Sequence, residues 1–161
     1  MGITQLPRRS ALMCYNVLDM TERRRFSLEL HEREGLIQPI VAQLAQHPEI
    51  FAIVLYGSFL DSETFRDIDL ALLVDEHKLP PESFLEYELD LLEELAHLSK
   101  FPLDIRIVNR APVLFRYAVT KGRVLFCRDE RVWVEFCERT WGEYLDFEPV
   151  ARLYIQELAR G

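Results

Sequence analysis

Phe51-Ala52-Ile53-Val54-Leu55-Tyr56-Gly57-Ser58, eight residues of spacer, then Asp67-Ile68-Asp69-Leu70-Ala71-Leu72-Leu73-Val74: these two stretches decide the fold. Each apolar run is short enough for a buried strand, and Gly57-Ser58 halts the first. The spacer between them is a polar loop from Asp61 to Arg66, too short to hold a helix. The strands are therefore expected to be antiparallel neighbours. In a strand, residues two apart point to the same face, so Asp67 and Asp69 present two carboxylates side by side. Such a pair repels itself and raises its own pKa unless a cation lies between. Hard oxygen ligands of this kind suit Mg²⁺, which completes its shell with water and substrate phosphates. Gly57, lacking a Cβ, lets backbone N–H groups approach a ligand, and Ser58 adds a hydroxyl suited to phosphate oxygens.

Upstream, Leu36, Ile37, Ile40, Val41, Leu44 and Ala45 recur at helical spacing until His47-Pro48. Phe26, Leu28 and Leu30 alternate with polar residues, which fits either a short strand or the start of a helix. Before them, the clusters Arg8-Arg9 and Arg23-Arg24-Arg25 mark an irregular, loosely attached arm. Downstream, Pro80-Pro81 opens a helix with Phe84, Leu85, Leu89, Leu92, Leu95 and Ala96 expected on its inner side, closed by Pro102. Leu103 to Val108 alternates as a third strand, and a helix from about Pro112 ends at Lys121-Gly122. Val124-Leu125-Phe126 reads as a fourth strand. Glu130 to Arg160 is helical, with one stripe of Val132, Trp133 and Phe136 and another of Phe147, Val150, Ala151, Tyr154 and Leu158. The sum is an α/β (α+β) domain: a mixed sheet of about four strands with helices packed on one face, plus C-terminal helices. Its expected parts are an arm at 1–25, a core at 26–129 and a helical extension at 130–161.

The chain has 161 residues, enough for one domain, and is 49% hydrophobic and 29% charged, as a folded globular protein is. Nineteen Lys+Arg against 27 Asp+Glu give a net charge of -8. That balance excludes a broad basic face for extended nucleic acid, while leaving room for a local pocket that takes one nucleotide. Cys14, Cys127 and Cys137 are too scattered for a disulfide framework or a zinc site; Cys127, in an apolar run, and Cys137, on an apolar helical stripe, read as buried free thiols, which suit a reducing cytoplasm. His31, His47, His77 and His97 share no ligand spacing, so no zinc is expected. No run approaches the length of a membrane span, and residues 1–20 hold no signal-peptide core.

Asp104 stands at the head of the third strand. If that strand neighbours the second, its carboxylate joins Asp67 and Asp69. Three carboxylates with two metal ions suit in-line displacement at phosphorus, and the third carboxylate can also take the proton of the attacking hydroxyl. On these residues, Tyr56-Gly57-Ser58, Asp67-Ile68-Asp69-Leu70 and Asp104, the chain resembles the DNA polymerase β-type nucleotidyltransferase superfamily. In its short length it is similar to the minimal nucleotidyltransferase (MNT) proteins of HEPN/MNT toxin–antitoxin pairs. The resemblance spans roughly residues 36–128. It implies transfer of a nucleoside monophosphate, AMP from ATP, with two Mg²⁺ ions, to a hydroxyl acceptor: a tyrosine of a partner HEPN toxin. It would make Gly57 and Ser58 phosphate holders, Asp67 and Asp69 ligands of both metals, and Asp104 a third ligand that assists deprotonation. The spacer departs from the family pattern, lacking its Arg-Gly step and its Ser before the acidic doublet.

Blander readings stand beside these. Asp67 and Asp69 can be solvated residues leaving a turn, and Asp104 can pair with Arg106 or Arg110. Arg66 can steady a phosphate or make a surface ion pair. Arg116, Lys121 and Arg123 form either a basic rim or an ordinary helix end. Trp133, Trp141, Tyr144 and Tyr154 read as packing residues, or as part of a surface buried by a partner. The rival to the enzyme is a catalytically weak or inert protein of the same fold that neutralises its partner by contact. A third reading, an antibiotic-modifying nucleotidyltransferase, needs a substrate domain for which the chain is too short. The sequence leaves homo- and hetero-oligomers both open.

Overall fold

A run of consecutive apolar residues in a strand is stable only with both faces covered, and in this protein both central strands, apolar apart from Asp69 near the start of the second, are so covered. The computed structural model describes residues 24–158, with side chains to 153; Cys14, the arm before residue 24 and the side chains of Tyr154 and Leu158 lie outside the described residues. In chain order the elements are β1 (Phe26–Ser27), α1 (Leu30–Leu44), β2 (Ile50–Tyr56), α2 (Ser58–Asp61), β3 (Thr64–Phe65) and β4 (Ile68–Val74). A short 3-10 turn, Pro81–Ser83, then leads into α3 (Phe84–Leu95), β5 (Leu103–Ile107), α4 (Val113–Thr120), β6 (Arg123–Cys127) and α5 (Glu130–Leu158).

The main sheet has the order β5-β4-β2-β6, with β4 and β5 parallel and the other pairs antiparallel. This is the expected mixed four-stranded sheet, with the two central runs as antiparallel neighbours. On one face Ile53, Leu55, Leu70 and Leu72 bury against Ile37, Ile40 and Leu44 of α1 and Leu91 and Leu95 of α3. The expected helical layer is joined by a second one on the opposite face. There Ala52, Val54, Ala71 and Leu73 meet Val119 of α4 and Phe136 and Cys137 of α5. Gly122, entering β6, lies so close to β2 that a Cβ would sit 2.5 Å from the Leu55 carbonyl.

Several local expectations change. Phe26 and Leu30 belong to different elements, because Glu29 and Glu32 form a capping box that starts α1 six residues before Leu36. The inner stripe of α3 is Leu91 and Leu95 with Phe84, Tyr87 and Leu92, whereas Leu85 and Leu89 are exposed. The spacer is neither free of helix nor simply polar: the single turn α2 fits within it because it is no crossover, and Phe59 and Phe65 are both fully buried. Phe65 packs edge-on against Phe59 at 4.7 Å and Phe101 at 5.2 Å, and β3 pairs with β1 as a separate two-stranded sheet. Finally, in the second stripe of α5 Phe147 and Val150 are exposed, as are Leu145 and Leu153 near them, while Ala151 is half-buried.

Candidate active site

The face of the sheet covered by α4 and α5 is apolar only part of the way. Ala71 and Leu73 of β4 are buried there, but the residue before them on that face is Asp69. Asp69 stands in register with Asp104 of the parallel strand β5 on one side and with Tyr56 of β2 on the other. A line of Asp104, Asp69 and Tyr56 therefore crosses three strands, with Asp67 just before β4. Gly57 closes the line. Its φ is +74°, and a Cβ on it would lie 2.3 Å from Asp69 Oδ2, so glycine is required on both counts. Burial pushes the Asp69 carboxyl up to about 6, helped by the charges of Asp67 and Asp104 and only partly offset by Arg66. The Tyr56 hydroxyl is likewise pushed up, by burial and then by Asp69 and Asp104. Its ring packs edge-on against Phe115 of α4 at 5.5 Å. Ser58 opens α2 immediately beyond Gly57.

A family model described as polymerase beta nucleotidyltransferase matches residues 38–131, more than half of the chain. The chain belongs to this family. No curated protein matches the sequence. Among solved structures, the nucleotidyltransferase is similar to a complex of a tri-AMPylated Shewanella oneidensis HEPN toxin with MNT antitoxin, at 19% identity and TM-score 0.60, covering 79% of this chain and 98% of the other. A toxin–antitoxin structure with AMP-PNP matches at 20% identity and TM-score 0.58, over 78% of this chain and 98% of that one. A toxin–antitoxin complex, MntA-HepT, matches at 18% identity and TM-score 0.55, over 80% and 98%. These likenesses show a shared fold.

Within that fold the predicted residues meet different ends. Gly57, Asp69 and Asp104 come together at one end of adjacent strands, and Asp67 and Arg66 are close enough for their charges to act on Asp69. The donor set fits Mg²⁺ in kind, being hard carboxylate oxygens, and the charges of Asp67 and Asp104 add to the burial that raises the proton affinity of Asp69. It is not gathered around a common point: among the described residues no three His, Cys, Asp or Glu side chains are poised for a metal. Asp104 instead accepts from Arg106 Nε at 3.0 Å, one of the two ion pairs read as alternatives in the sequence. The other arginine, Arg110, pairs with Glu76. The basic rim does not form. Arg116 binds Glu143 and the Ala111 carbonyl, Arg123 binds Glu34, and Lys121 Nζ lies 4.1 Å from the Tyr117 ring.

Sequence reasoning missed Arg33. It is 7% exposed, and donates to the carbonyls of Leu28, Phe59 and Glu63. A charged residue at a helix position flanked by Ile37 and Ile40 on the same face was the only available sign. Cys137 is buried and free, its thiol pushed up to about 11 by burial, while Cys127 is half-buried and free. No helix among the described residues is long and apolar enough to cross a membrane.

Proposed function

We propose that this nucleotidyltransferase moves AMP from ATP to a hydroxyl of a HEPN-type partner protein, a tyrosine hydroxyl, with Mg²⁺, and thereby acts as its antitoxin in the cytoplasm. The observation that carries this is the register of Asp69 with Asp104 beside Gly57, with Asp67 two residues before. The matched family and the AMPylated toxin beside a similar fold support it. Gly57 and Ser58 would take the triphosphate oxygens, with Arg66 as their counter-charge. Asp67, Asp69 and Asp104 would hold two Mg²⁺ ions, and Asp104 would leave Arg106 to do so. When bound, the metal polarises the α-phosphorus and neutralises the leaving pyrophosphate. In the transfer, the acceptor oxygen bonds to the α-phosphorus as the α–β bridging P–O bond breaks. Asp104 is the carboxylate that takes the hydroxyl proton, and pyrophosphate leaves with the electron pair. Residues 26–129 would form the transferring core, with 1–25 an arm and 130–161 a helical extension.

The rival is a protein that neutralises its partner by contact alone. The Asp104–Arg106 pair favours it, since that pair withholds one of the carboxylates. Titrating ATP and the other triphosphates with and without Mg²⁺, against an Asp67→Asn/Asp69→Asn variant, separates the two. Saturable metal-dependent binding that the variant abolishes is expected. No binding at millimolar nucleotide leaves the contact antitoxin.

A further inference from the structure

The two halves of the site are tied by the β2–β4 ladder and by the loop between those strands. The last register pair of the ladder at this end is Tyr56 with Asp69. Ser58 lies beyond it, so the loop sets where it stands, whereas Asp67 adjoins Ile68, which is in register with Leu103 of β5 and donates to the Pro102 carbonyl at 2.9 Å. That loop is gripped from elsewhere in the fold. Arg33, on α1, donates from Nη1 to the Phe59 carbonyl at 2.6 Å and from Nη2 to the Glu63 carbonyl at 2.9 Å. Its Nε donates to the Leu28 carbonyl at 3.1 Å, just after β1. The rings of Phe59 and Phe65 each lie 5.4 Å from the guanidinium carbon. Among the described residues no carboxylate pairs with Arg33, although it is 7% exposed.

Burying a charge without a counter-ion is costly, and three carbonyls with two ring faces offset that cost only in part. An apolar side chain would fill the same space without the cost. What it would lack is the rigid fork that fixes several acceptors at once. We propose that Arg33 is a positioning residue of the transfer site: by holding Phe59 and Glu63 it fixes Ser58 relative to Asp67, and so sets the phosphate platform beside the carboxylates. This rests on the functional reading above. Arg33 acts through the backbone of Phe59 and Glu63 and is not itself a catalytic residue.

The full chain is compared as wild type, Arg33→Met, Arg33→Lys and Arg128→Met. Arg128 is the control, because it also grips three carbonyls, those of Ala45, His47 and Ile50, at the far end of β2. Mg²⁺-ATP affinity and thermal midpoint are measured for each, with Mn²⁺ affinity read separately by EPR. Arg33→Met is expected to weaken ATP binding about tenfold or more while still folded at room temperature, with Arg33→Lys between it and wild type. Arg128→Met should lower the midpoint but keep ATP affinity within about twofold, and Arg33→Met should keep Mn²⁺ affinity within about threefold, because the ladder sets Asp69 and Asp104. Unchanged ATP affinity in Arg33→Met overturns the inference alone. So does equal weakening in the Arg33 and Arg128 variants, or a failure of both Arg33 variants to fold. A wild-type chain that binds no triphosphate overturns the functional reading, and this inference with it.

Discussion

A methyl group on Gly57 would lie 2.3 Å from Asp69 Oδ2 on a backbone with φ +74°. Gly57→Ala is therefore expected to cost about 1–3 kcal/mol of stability and to abolish Mg²⁺-ATP binding, read by urea unfolding and by titration. Asp69 has the opposite sign for stability. Burial, with Asp67 and Asp104, raises its carboxyl from the ordinary 3.8 to about 6, so the folded chain holds that proton more tightly than the unfolded one. Its contribution is fully present below the unfolded value, is lost as pH rises through about 6, and leaves a penalty at neutral pH. Asp69→Asn should thus stabilise the apo chain at pH 7 by about 1–2 kcal/mol after allowing for solvent screening, and gain nothing near pH 4. Unfolding curves at the two pH values check this; an equal effect at both would contradict it. The turn at Gly57 and the placing of Asp69 at the start of a strand were legible in the sequence because both follow from backbone geometry alone. Arg33 was not, since its acceptors lie 5, 26 and 30 residues away and are carbonyls, which every residue carries.

Elements show where periodicity is ambiguous. The segment of α3 holds leucines at 85, 89, 91, 92 and 95, which support two overlapping stripes. The sheet decides between them, burying Leu91 and leaving Leu89 58% exposed. Leu91→Ala is expected to cost about 2–5 kcal/mol and Leu89→Ala under about 0.5, measured by denaturant midpoint. On α5 the first stripe, with Phe136, packs beneath the sheet, whereas Val150 and Leu153 are each 63% exposed. A Val150→Ser/Leu153→Ser chain should therefore unfold within about 0.5 kcal/mol of wild type. A helical stripe says only that a face is apolar; whether the chain itself covers it depends on the length of the sheet underneath.

For the whole molecule, a ligand that binds only the folded state stabilises all of it together. Mg²⁺-ATP at about 100 times its dissociation constant should raise unfolding free energy by about 2.7 kcal/mol, and ATP with a chelator should not. A thermal shift that persists in the chelator would argue against carboxylate-bound metal. The spacer length fixed the antiparallel pairing of β2 and β4, because eight residues cannot carry a crossover helix. The two apolar runs predicted buried strands, and the Gly57 turn and acidic doublet marked a candidate site. These are local properties, written in period and spacing. Only the tertiary structure decided that β5 pairs parallel with β4, and so brings Asp104 into register with Asp69 across 35 residues of chain. It alone chose Arg106 over Arg110 as the partner of Asp104, buried Phe59 and Phe65 within an otherwise polar spacer, and put Arg33 beneath it. Strand neighbours, ion-pair partners and the burial of single side chains are settled by which surfaces meet, and no local pattern encodes that.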